Sequence, residues 1–566
     1  MSPAAHDAAP AAPLWEDALA DQVITSRAER GVTGPIVCAS GISPSGPIHL
    51  GNLREVFTTH LVAEALRRRG EEVVHLHSWD DYDRFRKVPA GVDPGFERYV
   101  GMPLARIPDP TRADGGGSYA EHFMDELRAS LEVLGIRMTE RRQSELYPAG
   151  TYNARIRTAM EQRLRVFDVL AGQQTAGRHA RSAEERRREY YPFRVFCTEC
   201  GRDDTRVIAY RDQTVVWECR HGHAGEMALT DGAAISGKLV WKVDWPMRWA
   251  HEDVAFEPAG EDHHAPTASF TVGRVLVAEL YGGRAPDTTV YSFVSLAGAG
   301  GKMSGSVGGA PIPATALDVL EPAILRWLYV RRLPRQSFQI DLSPRAVQRL
   351  YDEWDRLVAA VAAGEAPADE VAIHRESTES SAGEVDRTER PVSFRLLASV
   401  ADLTQGDRAQ IARIVAAHLG LGGEEAEPEA LLASLQPRLD CAIHYATQLI
   451  PEPERTRVRP AFDPATHAAL DDEMRAAVAE LSERMTDDWS VEGLTTLVYA
   501  IPKRMRGLAE EGAEPRPSAE IKQIQRAFFK AVYRLTTGAE TGPRLPTLLL
   551  SIGPERAREL LVGARG

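Results

Sequence analysis

Short apolar runs alternate with helical periods through the first 300 residues, and helical periods alone fill the rest. Pro35-Ile-Val-Cys-Ala-Ser40 and Glu72-Val-Val-His-Leu-His-Ser-Trp79 have the length and make-up of buried strands. Between them Leu53, Val56, Phe57 and Leu61 recur at helical spacing, and the helix they predict runs through Arg67, Arg68 and Arg69 to stop at Gly70. A lead-in helix is expected over residues 14–30, further helices over 119–134 and 153–171, and a charged one over 178–189. Residues 90–118, rich in Gly, Pro and Asp, read as a loop that orders over a ligand. Residues 240–249 read as a strand with three tryptophans, and 256–264 as a strand end carrying turn residues. A helix over 269–280 and a strand over 289–296 complete a second βαβ half. The fold expected is α/β, a doubly wound sheet. Beyond residue 312 helices are predicted over 314–329, 344–363, 394–400, 408–419, 428–449, 466–484, 491–510 and 518–535. Residues 364–391 are acidic and polar and read as a mobile linker.

Candidate chemistry sits at the strand ends. Gly41-Ile-Ser-Pro-Ser-Gly-Pro-Ile-His-Leu-Gly-Asn52 joins the first strand to its helix. Such a loop gathers backbone N–H groups and a helix N-terminus, which together favour an anion. Gly46 and Gly51 let a charged ligand approach the main chain, and His49 projects from the helix start as a donor to phosphate. Asp80 and Asp81, at the carboxyl end of the next strand, are placed to meet an ammonium or a ribose. A second glycine-rich loop, Gly300-Gly-Lys-Met-Ser-Gly-Ser306, follows the strand at 289–296 and offers a lysine and two serines to phosphate.

Cys197-Thr-Glu-Cys200 and Cys219-Arg-His-Gly-His223 are two ligand pairs separated by a hairpin's length. They predict a structural Zn2+ site of Cys197, Cys200, Cys219 and either His221 or His223, in an insertion over 172–236. Five cysteines, three of them in this cluster, suit a reducing, cytoplasmic setting. The composition, 43% hydrophobic and 26% charged, is that of a globular chain, and no apolar run reaches membrane-spanning length. The Ala/Pro-rich residues 1–13 read as a disordered tail, not a signal peptide. A net charge of −14 argues against coating nucleic acid by charge alone, though not against a local basic face.

The two glycine-rich loops together resemble the HIGH and KMSKS motifs of class I aminoacyl-tRNA synthetases. With Asp80-Asp81, Arg84-Phe-Arg-Lys-Val-Pro89, Trp241-Lys-Val-Asp-Trp-Pro-Met-Arg-Trp249 and Gly260-Glu-Asp-His-His264, the chain is similar to the class I lysyl-tRNA synthetase family over nearly its whole length. The resemblance implies a Rossmann-type catalytic domain over 14–310 and a helical connecting region over 311–390. An all-helical anticodon-binding cage follows over 391–566. It implies a monomer that uses ATP, Mg2+, L-lysine and tRNA(Lys). His49, Asn52, Lys302 and Ser304 would stand in the catalytic motifs, and Pro44, Gly46, Gly51 and Met303 would join them around ATP. Gly41, Ser43, Asp80, Trp241, His263 and Tyr291 would surround the amino acid. Two positions depart from the general pattern: Asn52 replaces the second His, and Gly305 replaces the second Lys, leaving Lys302 as that loop's one cation. Two other readings share these residues. One is a glutamyl/glutaminyl-type synthetase, whose pocket would present a basic residue. The other is a catalytically weak paralogue that regulates by binding tRNA or a protein.

Overall fold

The computed structural model of the chain describes residues 13–172, 182–297, 310–386, 390–421, 427–507 and 518–564. Four parallel strands form the central sheet in the spatial order Thr139–Arg142, Val73–Trp79, Ile36–Ile42, Val254–Phe256. Two parallel pairs follow in the chain, Ala259–Gly260 with Val290–Tyr291 and Val294–Leu296 with Phe338–Ile340. The strand expected over 289–296 is thus two strands with different partners. Ser292 makes the change, its amide and hydroxyl each donating at 2.9 Å to the carbonyls of Pro334 and Arg335.

Strand Ile36–Ile42 shows why the sheet is doubly wound. Ile36 and Cys38 join Ala20, Val23, Val62 and Leu66 of helices Trp15–Glu29 and Leu53–Arg68 in one core. Val37 and Ala39, on the alternate face, pack with Trp245, Trp249, Phe270 and Val277. Both faces are apolar, so the strand reads as a continuous hydrophobic run.

That second core corrects the reading of 240–249, which forms the helix Trp241–Glu252. The tryptophans recur at every fourth position and their rings are in contact in sequence, Trp241 stacked on Trp245 with centroids 5.0 Å apart and Trp249 tilted against Trp245 at 5.2 Å. Strand-favouring residue types and an interior proline masked this helical period. Gly273 of helix Ser269–Tyr281 completes the packing, since a Cβ there would stand 2.9 Å from the Trp249 ring. The helix expected over 153–171 breaks at Gln162 into Asn153–Glu161 and Arg163–Gly172. The loop over 90–118 contains two 3-10 turns, Pro94–Tyr99 and Leu104–Arg106.

The described residues fall into two compact units, one within 1–317, 322–341 and 357–387, the other within 318–321, 342–356 and 388–566. The segment read as a mobile linker is therefore corrected over its described part. It holds the helix Ala368–Thr378 and the hairpin Glu379–Ser380 with Gly383–Glu384, all within the first unit. Arg326, fully buried in helix Pro322–Val330, is the reason. It donates to the carbonyls of Leu134 (2.7 Å), Glu376 (2.6 Å), Ser377 (3.1 Å) and Glu379 (2.9 Å). Glu376 pairs with Arg68 at 2.8 Å, and Ser381 donates from its amide and its hydroxyl to Glu64, 2.8 Å each. Glu376 is buried and paired, while Glu365, Asp369, Glu370, Glu379 and Glu384 keep the exposure that their charge suggested.

The second unit is built from helices packed around Val478, Leu481, Leu494, Val498, Phe528 and Leu548. Its last two helices, Leu545–Ile552 and Pro554–Val562, were not anticipated; each is short and has a proline in its first turn.

Arg326→Met should lower the thermal unfolding midpoint markedly, because it leaves four buried carbonyls without their donor. The expected cost is about 3–5 kcal/mol, that of breaking a buried charged network. An unfolding scan with a wild-type midpoint would show that the segment 364–386 is not held this way.

Candidate active site and metal centre

The loop between Ile36–Ile42 and Leu53–Arg68 is fixed from three sides. The Leu50 amide donates to the Pro311 carbonyl at 3.0 Å, and the Tyr329 hydroxyl donates to the Leu50 carbonyl at 2.7 Å. The Tyr119 hydroxyl donates to the Ser45 carbonyl at 3.1 Å. Asn52 accepts from the His49 amide at 3.2 Å, so it locks the turn that presents the histidine. A Cβ at Gly51 would lie 2.9 Å from the His49 ring and 3.6 Å from the Val294 carbonyl. The imidazole therefore folds over a position that only glycine leaves open.

On one side of this loop the strand ends and helix Trp241–Glu252 enclose a cleft lined by Gly41, Ser78, Asp80, Trp241, Trp245 and Glu257. Beside it stands Glu55, which the sequence reading missed. Its carboxylate accepts from the Gly41 amide at 2.7 Å and from the Tyr291 hydroxyl at 2.8 Å. Burial pushes the Glu55 carboxyl up to about 8, against the pull of those two donors. Glu257 accepts from the indole N–H groups of Trp245 (3.0 Å) and Trp249, and burial raises it to about 7. Asp80 faces Arg248 at 2.7 Å; burial raises it to about 6, with Arg248 opposing. Arg248 also grips Asp244 and donates to the Ser78 hydroxyl at 2.8 Å. The structure thus sets Asp80 against a guanidinium of the protein itself. The Trp241 ring lies 5.5 Å from that guanidinium, and the His263 ring meets Trp245 edge-on at 5.4 Å.

A sequence signal for Glu55 did exist. Glu55, Thr59, Val62 and Leu66 share one helical stripe, and Thr59 donates to the Ala39 carbonyl of the central strand. A carboxylate on the stripe that covers a sheet is not a solvated helix-start acid.

On the other side of the loop a cleft of about 370 Å³ is lined by Ser43, Gly46, His49, Asn52 and, from the segment Asp83 to Pro89, by Asp83, Arg84, Arg86, Lys87 and Pro89. Pro44 lies buried at the base of the loop. Lys302, Met303 and Ser304, expected to complete this side, lie outside the described residues.

Away from these clefts, strands Thr205–Arg211, Thr214–Cys219 and Ala224–Ala228 form an antiparallel ribbon. Its first turn, Asp212-Gln213, has positive φ at both residues, as a tight hairpin requires. Donor atoms of Cys197, Cys200, Cys219 and His223 all lie within 4.8 Å of one another. The Cys200–Cys219 sulfur separation is 3.7 Å, close to the edge of about 3.8 Å that a tetrahedral thiolate site with metal–sulfur bonds of about 2.3 Å requires. His223 is therefore the fourth donor. His221 stands outside the group, half-exposed, with its Nε2 3.4 Å from Asp204. These residues could hold one metal ion.

A family model described as tRNA synthetases class I (K) matches residues 13–383. The chain belongs to this class I tRNA synthetase family. Over 579 aligned residues it is 42% identical to the lysine–tRNA ligase of Streptomyces coelicolor A3(2), covering 97% of this chain and 98% of that one. It is 33% identical to the lysine–tRNA ligase of Pyrococcus horikoshii OT-3, over 95% of this chain and 97% of that one. It is 31% identical to that of Treponema pallidum Nichols, over 97% and 98%. For a class I tRNA synthetase the two clefts acquire an order, since the HIGH-like loop stands between them.

Metal analysis of the purified synthetase should find one equivalent per chain. His223→Ala should lose most of it and His221→Ala should retain it; the reverse pattern would reassign the fourth donor.

Proposed function

We infer that the chain is a lysine–tRNA ligase: it activates L-lysine with ATP and transfers the lysyl group to the 3′ end of tRNA(Lys). The relatives named above support this, and the observation that carries it to the site is the Glu55 carboxylate, half-buried between Gly41 and Tyr291. A lysine side chain needs an aliphatic slot ending in an anion, and Trp241 and Tyr291 offer the walls of such a slot. Gly41 lines the same cleft and His263 stands against Trp245 beside it, whereas Ser43 lies in the cleft on the other side of the loop. The same cleft disfavours the glutamyl/glutaminyl reading, which needs a guanidinium for a substrate carboxylate. Both arginines of its lining are already engaged, Arg248 by Asp80 and Asp244, and Arg141 by Glu252 at 3.1 Å.

In the first step a lysine carboxylate oxygen attacks the α-phosphorus of ATP, the α–β bridging P–O bond breaks, and pyrophosphate leaves in line. Positioning and charge stabilisation supply the acceleration. His49, the helix N-terminus behind it, Lys302 and Ser304 act on the phosphates, and Mg2+, when bound with ATP, would neutralise charge on them. In the second step a hydroxyl of the terminal tRNA ribose attacks the adenylate carbonyl and AMP leaves. The ion at Cys197, Cys200, Cys219 and His223 is Zn2+ in a structural role, since three thiolates and an imidazole leave no open position. The helices of 391–566 serve as the anticodon-docking domain. No helix among the described residues is long and apolar enough to cross a membrane.

ATP–pyrophosphate exchange with each of the twenty amino acids, with and without tRNA, tests the reading. Exchange should depend on lysine and be lost in His49→Ala. Exchange with glutamate, or none while tRNA still binds, would overturn it in favour of the synthetase or regulator alternatives. Glu55→Gln should raise KM for lysine about 10- to 100-fold, the worth of a hydrogen bond to a charged group. The pH profile carries a sign. With its pKa raised to about 8, Glu55 is largely protonated at pH 7, while the lysine side chain (pKa about 10.4) stays cationic. KM for lysine should therefore fall as pH rises from 7 to 9 in the wild type, and stay flat in Glu55→Gln.

A further inference from the structure

The larger cleft carries two cations to which the resemblance assigns no role. One wall is the loop Ser43 to His49 with Asn52, and the other is the segment Asp83 to Pro89. Tyr119 holds the walls at a fixed spacing: its hydroxyl donates to Ser45 on one side, and its ring meets the buried Phe85 ring at 5.0 Å on the other. Phe85 is itself clamped, its amide donating to the Met102 carbonyl at 2.7 Å and its carbonyl accepting from the Gly101 amide at 2.9 Å. Arg84 pairs with Asp203 at 3.1 Å, and the Asp203 amide donates to the Gly101 carbonyl at 2.8 Å. Asp203 stands three residues after Cys200, so the wall is fastened to the metal-binding ribbon. Asp83 is neutralised by Lys238 at 2.5 Å.

Arg86 and Lys87 remain. Both are exposed on the cleft, and among the described residues neither has a carboxylate partner. Two uncompensated cations on a rigid wall, facing a loop built for anions, form a focused positive potential for a polyanion. In the sequence, the other motif of the pair has Gly305 where a second lysine is expected. The geometry points to Arg86 and Lys87 as the groups that bind the β- and γ-phosphates of ATP, with Asp203 as a positioning residue acting through Arg84. This rests on the ATP-dependent activation inferred above. A planar guanidinium and a point-charge ammonium, one residue apart, suit the two phosphates that leave together as pyrophosphate.

Equilibrium binding of ATP to the full chain in the absence of lysine tests this independently of turnover. Arg86→Ala and Lys87→Gln should each raise the Kd for ATP about tenfold. Each should weaken competition by inorganic tripolyphosphate to a similar degree and leave competition by adenosine unchanged. Asp203→Asn should move ATP and tripolyphosphate in the same direction by less, with adenosine again unchanged. An equal loss for adenosine would mean that the wall has collapsed, which overturns the assignment. So would unchanged ATP and tripolyphosphate affinities, including the case in which only tRNA affinity falls and the cations meet the RNA strand. Wild-type ATP binding without lysine-dependent exchange would defeat the function proposed above while leaving this comparison decisive.

Discussion

A group of buried charges at the carboxyl ends of the strands sets everything around the cleft of Trp241 and Glu257. Arg248 spans Asp80, Asp244 and Ser78, and Lys238 spans Asp83 and Asp244. Tyr147 closes the group by donating to Asp244. Each ion is costly to bury alone and tolerable only with its partners in place. The network therefore fixes helix Trp241–Glu252 against the end of strand Val73–Trp79, and with the helix the row of tryptophans. Two of those indoles in turn hold Glu257. Asp80 belongs to this scaffold, whereas the nearby Glu55 has no cation paired with it and accepts only from Gly41 and Tyr291 among the described residues.

The two clefts divide labour by their electrostatics. The cleft beside Glu55 is small, aromatic and acidic, and its arginines are already paired. The cleft beyond His49 is wider and keeps two cations without carboxylate partners among the described residues. Between them the loop Gly41 to Asn52 contributes main-chain groups to both, with Gly41 donating to Glu55 on one side and the His49 turn opening on the other. A reaction that joins a cationic amino acid to a polyanionic nucleotide needs such a boundary.

Much of this was legible in the sequence, for physical reasons that also mark where legibility ended. The apolar runs at 36–42 and 73–79 and the glycine at 70 read directly as strand, strand and helix stop, because burial on both faces leaves no ambiguity of period. The Cys197, Cys200, Cys219 set was legible because ligand spacing is local, whereas the choice of His223 depended on how the turn at Gly222 folds back. The tryptophan helix was misread because residue type spoke for a strand while spacing spoke for a helix, and spacing prevailed. Segment 364–386 was misread because the partners of Ser381, Glu376 and its backbone carbonyls stand at residues 64, 68 and 326, too distant in sequence to be inferred. Glu55 was missed because a carboxylate near a helix start has an ordinary explanation, and only the sheet-facing stripe distinguishes it.

The buried Arg326 also bears on how the chain is made. Its acceptors at Glu376, Ser377 and Glu379 leave the ribosome about fifty residues after it does, and residues 342–356, which belong to the other unit, emerge in between. When the strand Phe338–Ile340 has been synthesised, three of the four carbonyls that Arg326 meets are still to come, on the helix Ala368–Thr378 and the hairpin that follows it. Translation thus delivers part of the second unit before the first is finished, so the two units cannot mature strictly one after the other.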